Sequence, residues 1–110
     1  MSSLQGHRAL VTGATQGVGR AIAVALARAG ADVVLHGLRR DASAEQTQAM
    51  CAAHGVQVAI VEGDLASHPV EAAETLFLDA TAALPGIDLL VNNAGTCIDT
   101  MHFLDVSYTA

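Results

Sequence analysis

The chain has 110 residues, enough for one domain with a small core, and 52% of them are apolar, which excludes a disordered chain. Aromatic residues make up only 3%, so Ala, Val, Leu and Ile must build that core, a composition suited to helices packed on a parallel sheet. The formal charge is −6, from eleven acids against five basic residues, all arginine, which gives no general attraction to nucleic acid or to an anionic membrane.

In chain order, Ala9-Leu10-Val11 is a short apolar run closed by Thr12-Gly13, the signature of a first strand. A helix is predicted from Gly17, with Val18, Ile22, Ala25, Leu26 and Ala29 on one face and Gly30 as its stop. Val33-Val34-Leu35 reads as the second strand, closed by His36-Gly37. Asp41 or Ser43 is expected to cap a second helix, Ser43 having capping-box spacing to Gln46, and that helix runs to about His54 before Gly55. Residues 56–61 are β-branched and partly alternating, a third strand. Ser67 or His68 is expected to cap a third helix with Pro69 in its first turn and an apolar stripe on Val70, Ala73, Phe77, Ala80 and Leu84. Residues 87–91 form a fourth strand that opens into Asn92-Asn93-Ala94-Gly95, and a further helix is expected near Phe103. Strands alternating with helices imply right-handed crossovers and a parallel sheet, in one unit over residues 1–110.

The segment Thr12 to Gly19 joins the first strand to the first helix and carries Gly13, Gly17 and Gly19. A glycine at 13 permits a sharp turn, one at 17 keeps the backbone open to a phosphate, and one at 19 lets the helix lie close to the sheet. The free N–H groups of the first helical turn, with the positive end of the helix dipole behind them, make a site for a pyrophosphate. The competing reading is a tight turn without a ligand; the strand before the loop and the helix after it favour nucleotide binding.

The spacing T-G-x-x-x-G-x-G, followed by Asp64-Leu65 after the third strand and Asn92-Asn93-Ala94-Gly95 after the fourth, resembles the short-chain dehydrogenase/reductase family over residues 7 to about 105. The resemblance implies an α/β, Rossmann-type three-layer αβα fold with a partial parallel sheet in the order 3-2-1-4, lacking the family's C-terminal half. It also implies roles. Gly13, Gly17 and Gly19 shape a phosphate loop that Thr15 and Gln16 line with side chains, and Val18 offers its backbone N–H to the pyrophosphate. Asp64 bonds the adenine amino group, with Leu65 packed beside it. Asn92, Ala94 and Gly95 form the floor under ribose and nicotinamide, while Asn92 and Asn93 can equally tie the fourth strand to its neighbours.

The cofactor implied is a nicotinamide dinucleotide. The family's acidic position at the end of the second strand falls on Gly37, so no carboxylate awaits a ribose 2′-hydroxyl, and Arg39 and Arg40 follow within three residues. This favours NADP, although Gln16 and Leu38 stand where NADP-preferring members often carry a basic residue; NAD is the alternative, with Arg39 and Arg40 then a solvated pair.

The family's hydride chemistry uses a tyrosine as general acid/base, a lysine four residues later, a serine and a helical asparagine. Here Tyr108 is the only tyrosine, there is no lysine, and Ser107 directly precedes Tyr108. No catalytic residue is therefore assigned, and no metal site: His7, His36, His54, His68 and His102 lack metal-ligand spacing, and Cys97 and His102 lie in a loop-like stretch. Cys51 and Cys97 form no C-x-x-C pair and are expected to be free thiols. The N-terminal residues carry no signal-like apolar stretch, and the longest apolar run, residues 21–27, is too short to span a bilayer, so the cytoplasm is the expected location. The leading reading is an oxidoreductase-family chain, partial in extent, whose complete form is a homo-oligomer by resemblance. The alternative is a non-catalytic nucleotide-binding or interaction module.

Overall fold

The computed structural model describes residues 3–66 and 68–93. The elements run β1 (Arg8–Val11), α1 (Gly17–Arg28), β2 (Asp32–Gly37), α2 (Ala42–Ala52), β3 (Val58–Glu62), α3 (Pro69–Ala83) and β4 (Leu89–Val91). All four strands pair in parallel in the order β3-β2-β1-β4, as the resemblance implies. Each crossover carries one helix, so the strands' C-terminal ends gather on one edge of the sheet, and the loop of interest lies there.

Side-chain alternation along the strands divides the core into two layers. On one face Val11, Val33 and Leu35 pack with Ala23 and Ala27 of α1 and Cys51 of α2. On the other, Leu10, Val34 and Val61 pack with Leu76, Ala80 and Leu84 of α3 and its C-cap. His36, one step beyond Leu35, falls on the α3 side, and Gly37 returns to the side of α1 and α2.

Two predicted helix faces are corrected. In α1 the fully buried positions are Gly19, Ala23 and Ala27, whereas Val18 is 68% exposed, Ala25 is exposed, and Ile22 and Leu26 are half-buried flanks. The physical reason is distance: the helix is drawn so close to the sheet that only the smallest side chains fit beneath its axis, and the larger ones sit beside it. In α3 the buried row is Leu76, Ala80 and Leu84, at four-residue intervals; Ala80 and Leu84 belong to the expected stripe, whereas Ala73 is exposed, Val70 and Phe77 are 71% and 56% exposed, and Leu76 takes the place expected for Phe77. Glu71, Ala72 and Thr75 face the C-terminal end of β3 across a groove of about 260 Å³. Phe77 and Val70 lie on the opposite flank of the helix, and Leu90 of β4, the ladder partner of Leu10, is also exposed.

The boundaries differ in smaller ways. Asp41 is the cap of α2, its carboxylate accepting from Ala44 N at 3.0 Å, and Ser43 lies inside the helix, which ends at Ala52. Strand β2 extends through His36 and Gly37 because β3 continues to pair with it as far as Gly37↔Glu62, so β3 starts two residues later than expected and ends one later. Strand β4 is only Leu89–Val91. His68 precedes α3 but makes no side-chain cap bond, Pro69 occupies the first turn as expected, and the alternative cap, Ser67, lies outside the described residues, as does the helix expected near Phe103.

Candidate functional site

Thr12 to Gly19 leaves β1 and enters α1 at the C-terminal edge of the sheet. Gly17 opens the helix at φ +60°, and a side-chain carbon built on it would meet nothing within 4 Å. Gly19, two residues in, is the reverse case: a Cβ there would stand 1.9 Å from the Gly13 carbonyl oxygen and 2.6 Å from Asn93 Nδ2. Open space above the first helical residue and none beneath the third are what the glycine pattern anticipates.

The helix begins without a side-chain cap. Gln16 is its extended N-cap and makes no capping hydrogen bond, and the first turn holds no acidic residue. The N–H groups of that turn have no acceptor within the helix, and the dipole adds partial positive charge at the same point. Gln16, Gly17 and Val18 are all exposed around it, with Thr15 half-buried behind them.

The loop itself is pinned on three sides. Toward β4, Asn93 Nδ2 donates to the Gly13 carbonyl at 3.2 Å, Asn93 N donates to Thr12 Oγ1 at 2.8 Å, and Thr12 Oγ1 donates to Asn92 Oδ1 at 3.1 Å. Toward α2, the Thr15 carbonyl accepts from Arg20 Nη2 at 2.7 Å and from the buried Thr47 hydroxyl at 3.2 Å. Arg20 also reaches Thr47 Oγ1 and the Ser43 carbonyl, so its guanidinium is spent on structure. Toward β2, Gly13 N donates to His36 Nδ1 at 3.1 Å and Ala14 N donates to the His36 carbonyl at 2.8 Å. Loop backbone groups that would otherwise relax around a ligand are already committed, which reduces the ordering cost of binding.

The remaining sequence-derived positions divide. Asp64 is exposed just past β3, and its Oδ1 accepts from Ala66 N at 2.9 Å in a local turn. Leu65 is half-buried against the α3-side core. Arg39 and Arg40 are exposed beyond β2; Arg40 N donates to the Glu62 carboxylate at 2.7 Å, and its Nε lies 4.0 Å from Glu45 Oε2. Ala94 and Gly95 lie outside the described residues. Asn92 and Asn93 tie β4 to the loop after β1, the structural alternative raised by their sequence. Arg20, Thr47 and His36 were not singled out by sequence reasoning. A lone polar residue ending an apolar strand was the only signal for His36, and an arginine in a helix's first turn gives none about the carbonyl it will find.

Among the described residues no cluster of three or more His, Cys, Asp or Glu is placed to hold a metal ion, and no helix is long and apolar enough to cross a membrane.

The comparisons agree with this geometry. The family profile described as short chain dehydrogenase matches residues 7–109. The chain is 39% identical over 104 residues to the 3-oxoacyl-[acyl-carrier-protein] reductase FabG of Aquifex aeolicus, covering 94% of this chain and 41% of that protein. It is 36% identical over 97 residues to an L-rhamnose 1-dehydrogenase (NAD(P)(+)) of a Sphingomonas species, covering 88% and 37%. A crystal structure of an NADH-dependent reductase complexed with NAD superposes with a TM-score of 0.77 at 34% identity, over 86% of this chain and 38% of that one. The chain thus spans about two-fifths of the length of the curated relatives it matches. The profile, these relatives and the parallel sheet with its glycine loop establish that the chain belongs to the short-chain dehydrogenase family.

Proposed function

We propose that these 110 residues hold the dinucleotide of an oxidoreductase which, in complete form, moves a hydride between NAD(P) and an alcohol or carbonyl group. The observation that carries the reading is the uncapped start of α1 at Gln16, with open space over Gly17 and no acidic side chain in the first turn. A pyrophosphate fits that position by charge and by room. The nicotinamide supplies the hydride chemistry when bound. The chain's own residues bind and orient: the N–H groups of the first turn of α1, Val18 among them, face the phosphates, with Thr15 and Gln16 beside them. The family resemblance assigns Asp64 and Leu65 to the adenine, and Asn92, Ala94 and Gly95, which follow β4 in sequence, to ribose and nicotinamide.

NADP is the preferred form. Gly37 offers no carboxylate to a ribose 2′-hydroxyl, and Arg39, exposed and in no ion pair among the described residues, is available to a 2′-phosphate. Proton transfer is not assigned to any residue, because the sequence contains no lysine and so no Tyr-x-x-x-Lys pair. Homo-oligomeric assembly of the complete form is part of the same proposal.

Calorimetry with NADP+ and NAD+, together with turnover assays on simple alcohols and carbonyls, tests the reading. Binding of NADP+ in preference to NAD+ without turnover is expected. Arg39→Ala should weaken NADP+ by about 1.5–3 kcal/mol and leave NAD+ nearly unchanged. Failure of the parent chain, folded by circular dichroism, to bind either nucleotide would overturn it.

A further inference from the structure

His36 is 4% exposed at the end of β2, between the loop after β1 and the loop after β3. Both ring nitrogens are engaged. Nδ1 faces the backbone N–H of Gly13 at 3.1 Å, and Nε2 faces the carbonyl oxygen of Gly63 at 2.8 Å. An N–H can only be met by a bare nitrogen, and a carbonyl oxygen only by an N–H. The two contacts together therefore require the neutral ring with its proton on Nε2. The other tautomer would set N–H against N–H at Gly13 and a lone pair against a carbonyl at Gly63, and the protonated ring would keep the Gly63 bond but break the Gly13 one.

Gly13 is the residue at which the chain turns off β1, at φ +63°, and Gly63 directly precedes Asp64. One ring thus sets the spacing between the segment assigned to the phosphates and the segment assigned to the adenine. Its backbone adds a third tie, Ala14 N to the His36 carbonyl. We propose that His36, as the neutral Nε2-protonated ring bridging Gly13 and Gly63, is a positioning residue for the dinucleotide, holding the loop in its binding shape. This deepens the nucleotide-binding reading above and rests on it. No other side chain in the described part of the loop meets the Gly13 N–H.

The titratable groups at this end of the fold are Glu62, Asp64, His68 and Glu71 around the groove beside Gly63, with Arg39 and Arg40 beyond β2. Glu62 receives Arg40 N and Asp64 receives Ala66 N. The loop after β1 brings only backbone groups to the ring from Gly13.

Amide substitutions separate the two bonds. The Asn side-chain oxygen takes the place of Nδ1, so His36→Asn keeps the acceptor for Gly13; Gln places its amide near Nε2 and keeps only the Gly63 contact. NADP+ affinity is measured by calorimetry for the parent, His36→Asn, His36→Gln and His36→Leu. His36→Leu and His36→Gln should lose about tenfold, the consequence of a buried N–H without a partner. His36→Asn should stay close to the parent. Long-range 1H–15N spectra of the parent read the tautomer directly and serve even where a variant does not fold; Nε2–H is expected. If the parent binds neither nucleotide, the nucleotide reading fails. If the parent binds and the spectra find the Nδ1–H form, or His36→Leu or His36→Gln binds as well as His36→Asn, the assignment of His36 is overturned while nucleotide binding stands.

Discussion

Thr15 and Gly37 are in such close contact that the Cβ Gly37 lacks would stand 2.4 Å from Thr15 Cγ2. Gly37 has no positive φ, so the restriction is one of space and not of backbone conformation. The methyl of Thr15 therefore occupies the place from which an acidic side chain at position 37 would start. Gly37→Asp alone is expected to weaken both NAD+ and NADP+, because the new side chain displaces the loop. Thr15→Ala removes the 2.4 Å contact and leaves Arg39 O at 3.5 Å as the nearest remaining neighbour. The double variant Thr15→Ala/Gly37→Asp should bind NAD+ in preference to NADP+. Calorimetry on the two single variants and the double variant checks this; a preference for NAD+ in Gly37→Asp alone would show that Thr15 yields freely.

Gly17 and Gly19 should separate binding from folding. Gly17→Val adds a side chain into open space at the cost of a left-handed backbone, about 1–2 kcal/mol, and should abolish nucleotide binding in a chain that still folds. Gly19→Ala drives a carbon into the Gly13 carbonyl and should lower the melting temperature far more than its one added methyl suggests. Thermal melts followed by circular dichroism, with binding measured on the folded fraction, distinguish the two.

The rotated face of α3 gives a stability prediction. Leu76→Ala removes a side chain that is 6% exposed from the layer over β1 to β3 and should cost about 2–5 kcal/mol. Phe77→Ala, at 56% exposure, should change stability by about 0.5 kcal/mol or less. Urea denaturation of the two variants checks the order, which the stripe expected from sequence would reverse.

Cys51 is buried in the layer between the sheet and α2, and burial pushes its thiol up to about 11. The folded state favours the neutral form, so this contribution to stability is fully present below the ordinary thiol pKa of 9.0 and is lost as pH rises from there through about 11. In a Cys97→Ser background, Cys51 should resist a disulfide-exchange reagent near pH 8 until the chain is unfolded. Rapid labelling of the native protein would contradict the burial.

Periodicity and turn residues made the order of elements, the parallel sheet and the glycine loop legible before any coordinates, because those features depend on local chemistry: apolar runs, helix stops at Gly30 and Gly55, and a first-turn proline at Pro69. The face each helix buries was legible only in part. In α1 the larger apolar residues suggested one side, while contact with the sheet selected Gly19, Ala23 and Ala27, since close approach rewards small size beneath the helix axis as well as hydrophobicity; in α3 the expected Ala80 is buried, but Leu76 takes the place expected for Phe77. What the sequence determined by itself was where the glycine loop and the open start of α1 lie along the chain. Tertiary structure alone decided what holds that opening in shape: His36 from β2, Thr47 from α2 and Asn93 after β4 reach the loop from positions 23, 32 and 80 residues away from their partners in it. Hydrogen bonds between residues so far apart in sequence leave no periodic trace, and they exist only once the parallel sheet has brought the strand ends to a common edge.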